Sequence, residues 1–260
     1  MRDYLSVTQM NLYMKCPKAY YFSYIEKIKL PPNGVRVQGQ AYHEALAANF
    51  THKLETASDM PIEDVFDVFS DSFNLIRKDK VMQDEGKQWV FDDINWEGGD
   101  SGEMKDQGIA LTELYCGSVA PTITPVQVEN REEITISDVP FVIIRDLETI
   151  DTVIDHKVKK SRFSEGDLGR ELQPLAYTMQ TNKDFCFHVA LKQKTLAIVT
   201  PNEDSKLRIQ PTRGKKLWFE QVVSDVWAAI QAGIFPVCPN GWHCGENYCG
   251  YFELCKGRYL

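Results

Sequence analysis

The chain has 260 residues, 43% hydrophobic and 25% charged, an ordinary globular composition with enough apolar material for one large domain or two small ones. Its formal net charge of -8 excludes a protein that coats nucleic acid by bulk attraction, while leaving room for a local basic groove. No stretch approaches the roughly 20 apolar residues of a membrane span, and the opening "MRDYLSVTQMNLYMKC" lacks the apolar run of a signal peptide, so the expected location is the cytoplasm.

In chain order, Ser6 or Thr8 is placed to cap a first helix that Pro17 stops or restarts. "LPPNG" (30–34) predicts a turn, and "VQGQAYHEALAANFTHKL" a second helix. Residues 60–80 predict a third, with Val65, Phe66, Phe69 and Phe73 along one stripe. The polar, glycine-containing stretch 84–108 predicts a loop, followed by a short helix to about residue 118. After Pro121 the character changes. "TPVQVENREEITI", "VPFVIIRDLE" and "IDTVIDHKV" are three strand-like runs joined by short turns, an antiparallel meander. "GDLGRELQPLAYTMQ" predicts a helix, "DFCFHVALK" and "TLAIVTP" two more strands, and "RGKKLWFEQVVSDVWAAIQAGIF" a long amphipathic helix whose Trp218 and Trp227 are expected in the core. Helices, meander, helix, strands and helix make an α/β fold: a sheet flanked by helices.

The run "IDTVIDHKVKK" (150–160) carries Ile150, Val153 and Ile154 as apolar strand residues, yet ends in Asp155, His156 and Lys157. Alternation puts Asp155 and Lys157 on one face and His156 on the other. An exposed ion pair would explain this blandly. Asp146 closes the preceding strand, so a hairpin would bring two carboxylates together, as a hard Mg²⁺ or Mn²⁺ ion requires. Such an ion supports phosphodiester hydrolysis, and Lys157 beside it would stabilise charge developing at phosphorus. Gln173 and Tyr177, and likewise Gly39 and His43, are four apart and share helix faces. Alone, His43 is more often a structural histidine than a ligand, and Gln173 with Tyr177 is usually a solvated pair or a satisfied tyrosine in the core.

Together, "CPKAYYF", "GQAYH" (39–43), the strand ending in Asp146, "DHK" (155–157) and "QPLAY" (173–177) resemble the PD-(D/E)xK nucleases of the RecB-like group, over roughly residues 6–50 and 125–260. The resemblance implies a restriction-endonuclease-like fold: a central mixed sheet flanked by helices, with the N- and C-terminal segments joined at a cysteine cluster. It implies a single domain over 1–260: N-terminal helices 1–58, a helical insert 59–120, a nuclease core 121–235 and a cysteine-rich tail 236–260. His43, Asp146 and Asp155 would bind the metal, with a carbonyl from Ile154 or His156. Lys157 would be the catalytic lysine, Gln173 and Tyr177 would position DNA or the site, and Glu129 matches an acidic residue that some relatives carry. The family usually has glycine three residues before the aspartate; here Ile143 stands there. The activity implied is an Mg²⁺- or Mn²⁺-dependent DNA exonuclease on single strands or DNA ends, in recombination, repair or CRISPR adaptation, alongside partner proteins of such a complex. The alternative is a noncatalytic iron–sulfur DNA-binding subunit.

Of seven cysteines, Cys238, Cys244, Cys249 and Cys255 crowd the tail, a pattern favouring metal or cluster ligation over disulfides in a reducing compartment. The resemblance implies a four-iron four-sulfur cluster on Cys16, Cys244, Cys249 and Cys255, with zinc as the alternative and free buried thiols as the bland one. Cys116 and Cys186 lie among apolar residues and are expected in the core. Lys159, Lys160 and Arg162, and Lys215 and Lys216, form basic clusters near aromatics, suited to DNA phosphates or equally to a solvated face.

Overall fold

A computed structural model describes residues 3–75, 94–96 and 99–259. Ser6 is the cap: its hydroxyl accepts the Gln9 N–H and starts α1 (Val7–Lys15). Extended backbone at Cys16 breaks that helix, and Pro17, at home in a first turn, restarts it as α2 (Pro17–Tyr20), followed by a π-helical turn at Tyr21–Ile25. Asn33 caps α3 (Gly34–Thr56), and α4 (Ile62–Leu75) follows with Val65, Phe69 and Phe73 buried.

The loop expected over 84–108 falls partly outside the described residues, at 84–93 and 97–98, and is corrected over the rest. Asp100 accepts the Gly102 N–H and launches α5 (Ser101–Ser118). The polar "SGEMKDQG" misleads because a helix with only one buried stripe tolerates it: Gly108, Leu111, Thr112 and Tyr115 face inward.

The strands are β1 (Gln127–Ile136), β2 (Val139–Glu148), β3 (Thr152–Lys159), β4 (Asp184–Leu191), β5 (Ala197–Val199) and β6 (Arg208–Ile209). They form one six-stranded mixed sheet in the order β1-β2-β3-β4-β5, with β6 also beside β4. β2 and β3 are antiparallel, β3 and β4 parallel, and β5 and β6 each antiparallel to β4. A two-residue turn with left-handed backbone at Ser137 and Asp138 joins β1 to β2. Ile150, read as a strand residue, instead sits in the β2–β3 turn and is 83% exposed, because Thr149 and Asp151 tie the chain back there. The helix expected over 166–180 is two short ones, α6 (Glu165–Leu168) and α7 (Gln173–Tyr177). Gly169 ends the first, and Pro174, lacking an N–H, is tolerated only in the first turn of the second. β6, two residues long, has no legible period in the sequence.

The chain divides into two compact units. Unit 1 comprises Met1–Leu30, Glu132–Ile143 and Thr212–Leu260, and holds α1, α2, α8 (Arg213–Gln231) and α9 (Phe252–Cys255). Here Leu5 donates to Pro140 at 2.9 Å and accepts from Val142 at 2.8 Å, while the Phe141 ring meets Phe219 edge-on. Tyr13 Oη donates to the Ile234 carbonyl at 2.7 Å and Tyr251 Oη to that of Ile28 at 3.0 Å, tying both ends of the chain into this unit. Trp218, expected in the core, is 54% exposed on α8, and Trp227 is half-buried.

Unit 2 comprises Pro31–Arg131 and Ile144–Pro211. Its core joins α3, α4 and α5 to Leu147, Ile154, Cys186 and Ala190 of the strands. Cys186 is buried and Cys116 half-buried; burial pushes their thiols up to about 11 and about 12, so both behave as small apolar residues. Among the described residues no helix is long and apolar enough to cross a membrane.

At Gly108 of α5, an added Cβ would stand 2.2 Å from the Phe69 ring, which is fully buried. Gly108→Ala therefore costs about 1–3 kcal/mol by overpacking, despite the gain of up to about 1 kcal/mol in helix propensity. Chemical denaturation checks this; a stabilised variant would contradict it.

Candidate active site

The site lies in unit 2, at the ends of β2 and β3. The register sets Leu147 opposite Ile154; Asp146 and Asp155 are the next residue along on each strand. Asp155 is almost wholly buried, since β3 is covered on both faces from Thr152 to His156. Gln173 Nε2 donates to Asp155 Oδ1 at 2.7 Å and to Tyr177 Oη at 3.3 Å, which the shared face of α7 allows. Lys157 Nζ stands 2.6 Å from Asp155 Oδ2, on the same side of the strand as alternation requires. The two carboxylate oxygens of Asp155 are thus engaged separately, Oδ1 by Gln173 and Oδ2 by the Lys157 ammonium.

Asp146 gathers donors on Oδ2. The His156 backbone N–H donates to it at 2.8 Å, and His43 Nδ1, from α3, is 3.2 Å away. Glu129 of β1 completes this group: donor atoms of His43, Glu129 and Asp146 all lie within 4.8 Å of one another. Glu129 holds φ at 46°, a left-handed backbone that costs a non-glycine residue on the order of 1 kcal/mol.

On the other face of β3, His156 Nε2 is 2.9 Å from Tyr115 Oη, which is 2.8 Å from His188 Nδ1. His188 is the register partner of His156 on the parallel strand β4. All three are buried.

The electrostatics follow from this crowding. Burial works to raise the Asp146 carboxyl, but the charge of His43 and the bonds from His156 and His43 hold it well below the usual range. Burial works to lower His43, but Asp146 lifts it to about 9. Burial pushes Asp155 up to about 6 against the pull of Lys157, and burial with the nearby Asp146 pushes Glu129 up to about 7. Burial lowers Lys157, yet Asp155 reverses this and raises it, so the ammonium persists. Burial lowers both His156 and His188, the latter to about 3, so both are neutral.

Of the residues singled out in the sequence, His43, Asp146, Asp155, Lys157, Gln173 and Tyr177 come together. The third donor grouped with His43 and Asp146 is Glu129, while Asp155 is engaged by Gln173 and Lys157. Tyr115 and His188 were missed; a lone histidine in the apolar run "DFCFHVALK" was the sole signal. Lys159 Nζ lies 3.8 Å over the Phe163 ring, and Lys160 and Arg162 are exposed just past β3. Lys215 and Lys216 open α8 in the other unit.

The thiols gather in unit 1. Cys16, Cys238, Cys244, Cys249 and Cys255 line a cavity of about 190 Å³. The Cys255 thiol is pushed up by burial and by its neighbours Cys16, Cys244 and Cys249. Cys16, Cys249 and Cys255 pack on Ala19, Phe22 and Tyr251.

A mixed sheet with acidic residues and a lysine at its strand ends, flanked by helices, is a nuclease-like architecture. The chain belongs to the PD-(D/E)XK nuclease superfamily, whose family model matches residues 4–256. Among solved structures it is similar to the crystal structure of a "Putative exonuclease" from Eubacterium rectale, with a TM-score of 0.52 and 12% identity, covering 98% of this chain and 94% of that one. That likeness is one of fold. No protein of curated function matches the chain.

His43, at about 9 when folded and near 6.5 when unfolded, adds stability in full below pH about 6.5 that is lost as pH rises through about 9. With a chelator present, the melting temperature of the unaltered protein should exceed that of His43→Ala most below pH about 6.5, the gap closing by pH about 9. A gap that does not vary with pH would count against the assigned ion pair.

Proposed function

We propose that this chain is a divalent-metal-dependent DNA exonuclease of the RecB-like branch, acting on single strands or DNA ends in the cytoplasm, with 1–260 working as one nuclease module. The observation that carries this reading is the grouping of His43, Glu129 and Asp146 within 4.8 Å, beside the Asp155–Lys157 pair. Imidazole and carboxylate donors suit Mn²⁺, and carboxylates suit Mg²⁺. The buried Asp155 Oδ2, faced by the Lys157 ammonium, is an oxygen that such an ion can share. His43, Glu129, Asp146 and Asp155 would hold it. When bound, the ion supplies an acidified water and neutralises charge on a phosphoryl oxygen.

The chain's own residues do the rest. Lys157 keeps its proton and offers a fixed cation to charge developing at phosphorus. Gln173 fixes Asp155 by donating to Oδ1 and spends its second amide proton on Tyr177. Lys159, Lys160 and Arg162 continue from the same strand end and attract backbone phosphates. The solved neighbour is titled "Putative exonuclease", which is in keeping with end-directed cleavage.

The same reading gives Cys16, Cys244, Cys249 and Cys255 a four-iron four-sulfur cluster. Thiolates suit zinc and iron–sulfur clusters alike. The gathering of these thiols around one cavity supports joint ligation, with zinc as the alternative occupant.

Incubated with Mn²⁺ or Mg²⁺, the protein should degrade end-labelled single-stranded DNA. Lys157→Ala should slow this by about 10²-fold or more, and a chelator should stop it. DNA binding without degradation by the unaltered protein would support the noncatalytic subunit instead. Anaerobic purification should yield brown protein with about four iron and four sulfide per chain; stoichiometric zinc and no iron would replace the cluster with a zinc site.

A further inference from the structure

We propose that Tyr115 and His188 are positioning residues for Asp146, acting through a one-way relay that runs His188, Tyr115, His156 and ends on the carboxylate. The relay takes from the functional reading above only that Asp146 holds the metal.

The direction follows from proton counting. Tyr115 Oη lies 2.9 Å from His156 Nε2 and 2.8 Å from His188 Nδ1. A hydroxyl has one proton, so it donates to one of these nitrogens and accepts from the other. The far nitrogen of His156, Nδ1, is 3.6 Å from Asp146 Oδ2, an ion–dipole contact rather than a hydrogen bond. A bare lone pair facing a carboxylate is repelled, so the His156 proton sits on Nδ1. Its Nε2 then accepts from Tyr115, and Tyr115 accepts from His188 Nδ1–H. Each proton fixes the next.

The outcome is local to Asp146. His156 is locked with Nδ1–H towards Oδ2, and its backbone N–H donates to that same oxygen at 2.8 Å. His43 approaches Oδ2 as well, at 3.2 Å. Two donors therefore hold Oδ2 at hydrogen-bonding distance, with the His156 Nδ1–H turned towards the same oxygen from 3.6 Å. Partners one step behind a metal ligand fix its orientation in this way, and their loss typically weakens metal binding 10- to 100-fold.

A purely structural role predicts something different. The Tyr115 ring meets Tyr42 and Phe50 edge-on, and phenylalanine preserves those contacts. Tyr115→Phe thus removes the relay and little else.

The test uses long-range ¹H–¹⁵N correlation spectra of the metal-free protein, with Mn²⁺ binding measured by calorimetry. In the unaltered protein, His156 should carry its proton on Nδ1, as should His188. Tyr115→Phe should leave the His156 proton on Nδ1, shift the signal of Nε2, which loses its donor, and weaken Mn²⁺ binding roughly tenfold. His188→Asn, whose amide N–H replaces Nδ1–H, should keep both close to the unaltered values. A His156 proton on Nε2 in the unaltered protein, or undiminished Mn²⁺ binding in Tyr115→Phe, overturns the proposal. Should Tyr115→Phe not fold, the tautomer in the unaltered protein decides alone. If the unaltered protein binds no Mn²⁺, the metal reading falls, and the tautomer still decides the relay.

Discussion

A carboxylate buried in protein must be compensated or it does not stay ionised, and Asp146 meets that constraint with donors from separate parts of the chain. α3 brings His43 and the backbone of β3 brings the His156 N–H, while Glu129 of β1 lies alongside. Everything else in unit 2 serves to hold these pieces in register. The aromatic core under α3, α4 and α5 fixes where His43 projects, and the β2–β3 pairing fixes where the two aspartates end. Sheet and helices are therefore the supports of one compensated charge.

The second carboxylate is handled differently. Asp155 is more deeply buried, carries Gln173 on one oxygen and stands against Lys157 with the other. Its carboxyl is pushed up, whereas that of Asp146 is held down. Two acids of the same chemistry, next to each other in the sheet, are thus set apart by environment alone. Environments that separate paired carboxyls mark sites able to divide roles between them.

Much of this was legible in the sequence, for identifiable reasons. Period-two alternation is enough to put Asp155 and Lys157 together, and the spacing of four is enough to put Gln173 with Tyr177. Both signals are local, and α7 is helical over just the residues that need it. What escaped was non-local or set by single residues. The start of α5 depends on one capping side chain, Asp100. The exposure of Ile150 depends on side-chain bonds within a turn. The meeting of His156 and His188 depends on Tyr115 crossing from a helix to two strands. No periodicity encodes such meetings, because each joins elements far apart in the chain.

The two units also differ in how their parts are spread along the sequence. Residues 31–131 and 144–211 complete unit 2 before α8 is reached, whereas unit 1 combines Met1–Leu30 with Thr212–Leu260. During synthesis, the N-terminal thiol Cys16 emerges from the ribosome long before Cys244, Cys249 and Cys255 exist. Domains generally fold as units, N-terminal first, as the chain emerges. The acidic pocket can thus be finished on a nascent chain, while the cysteine cavity closes only once Cys244, Cys249 and Cys255 have been made.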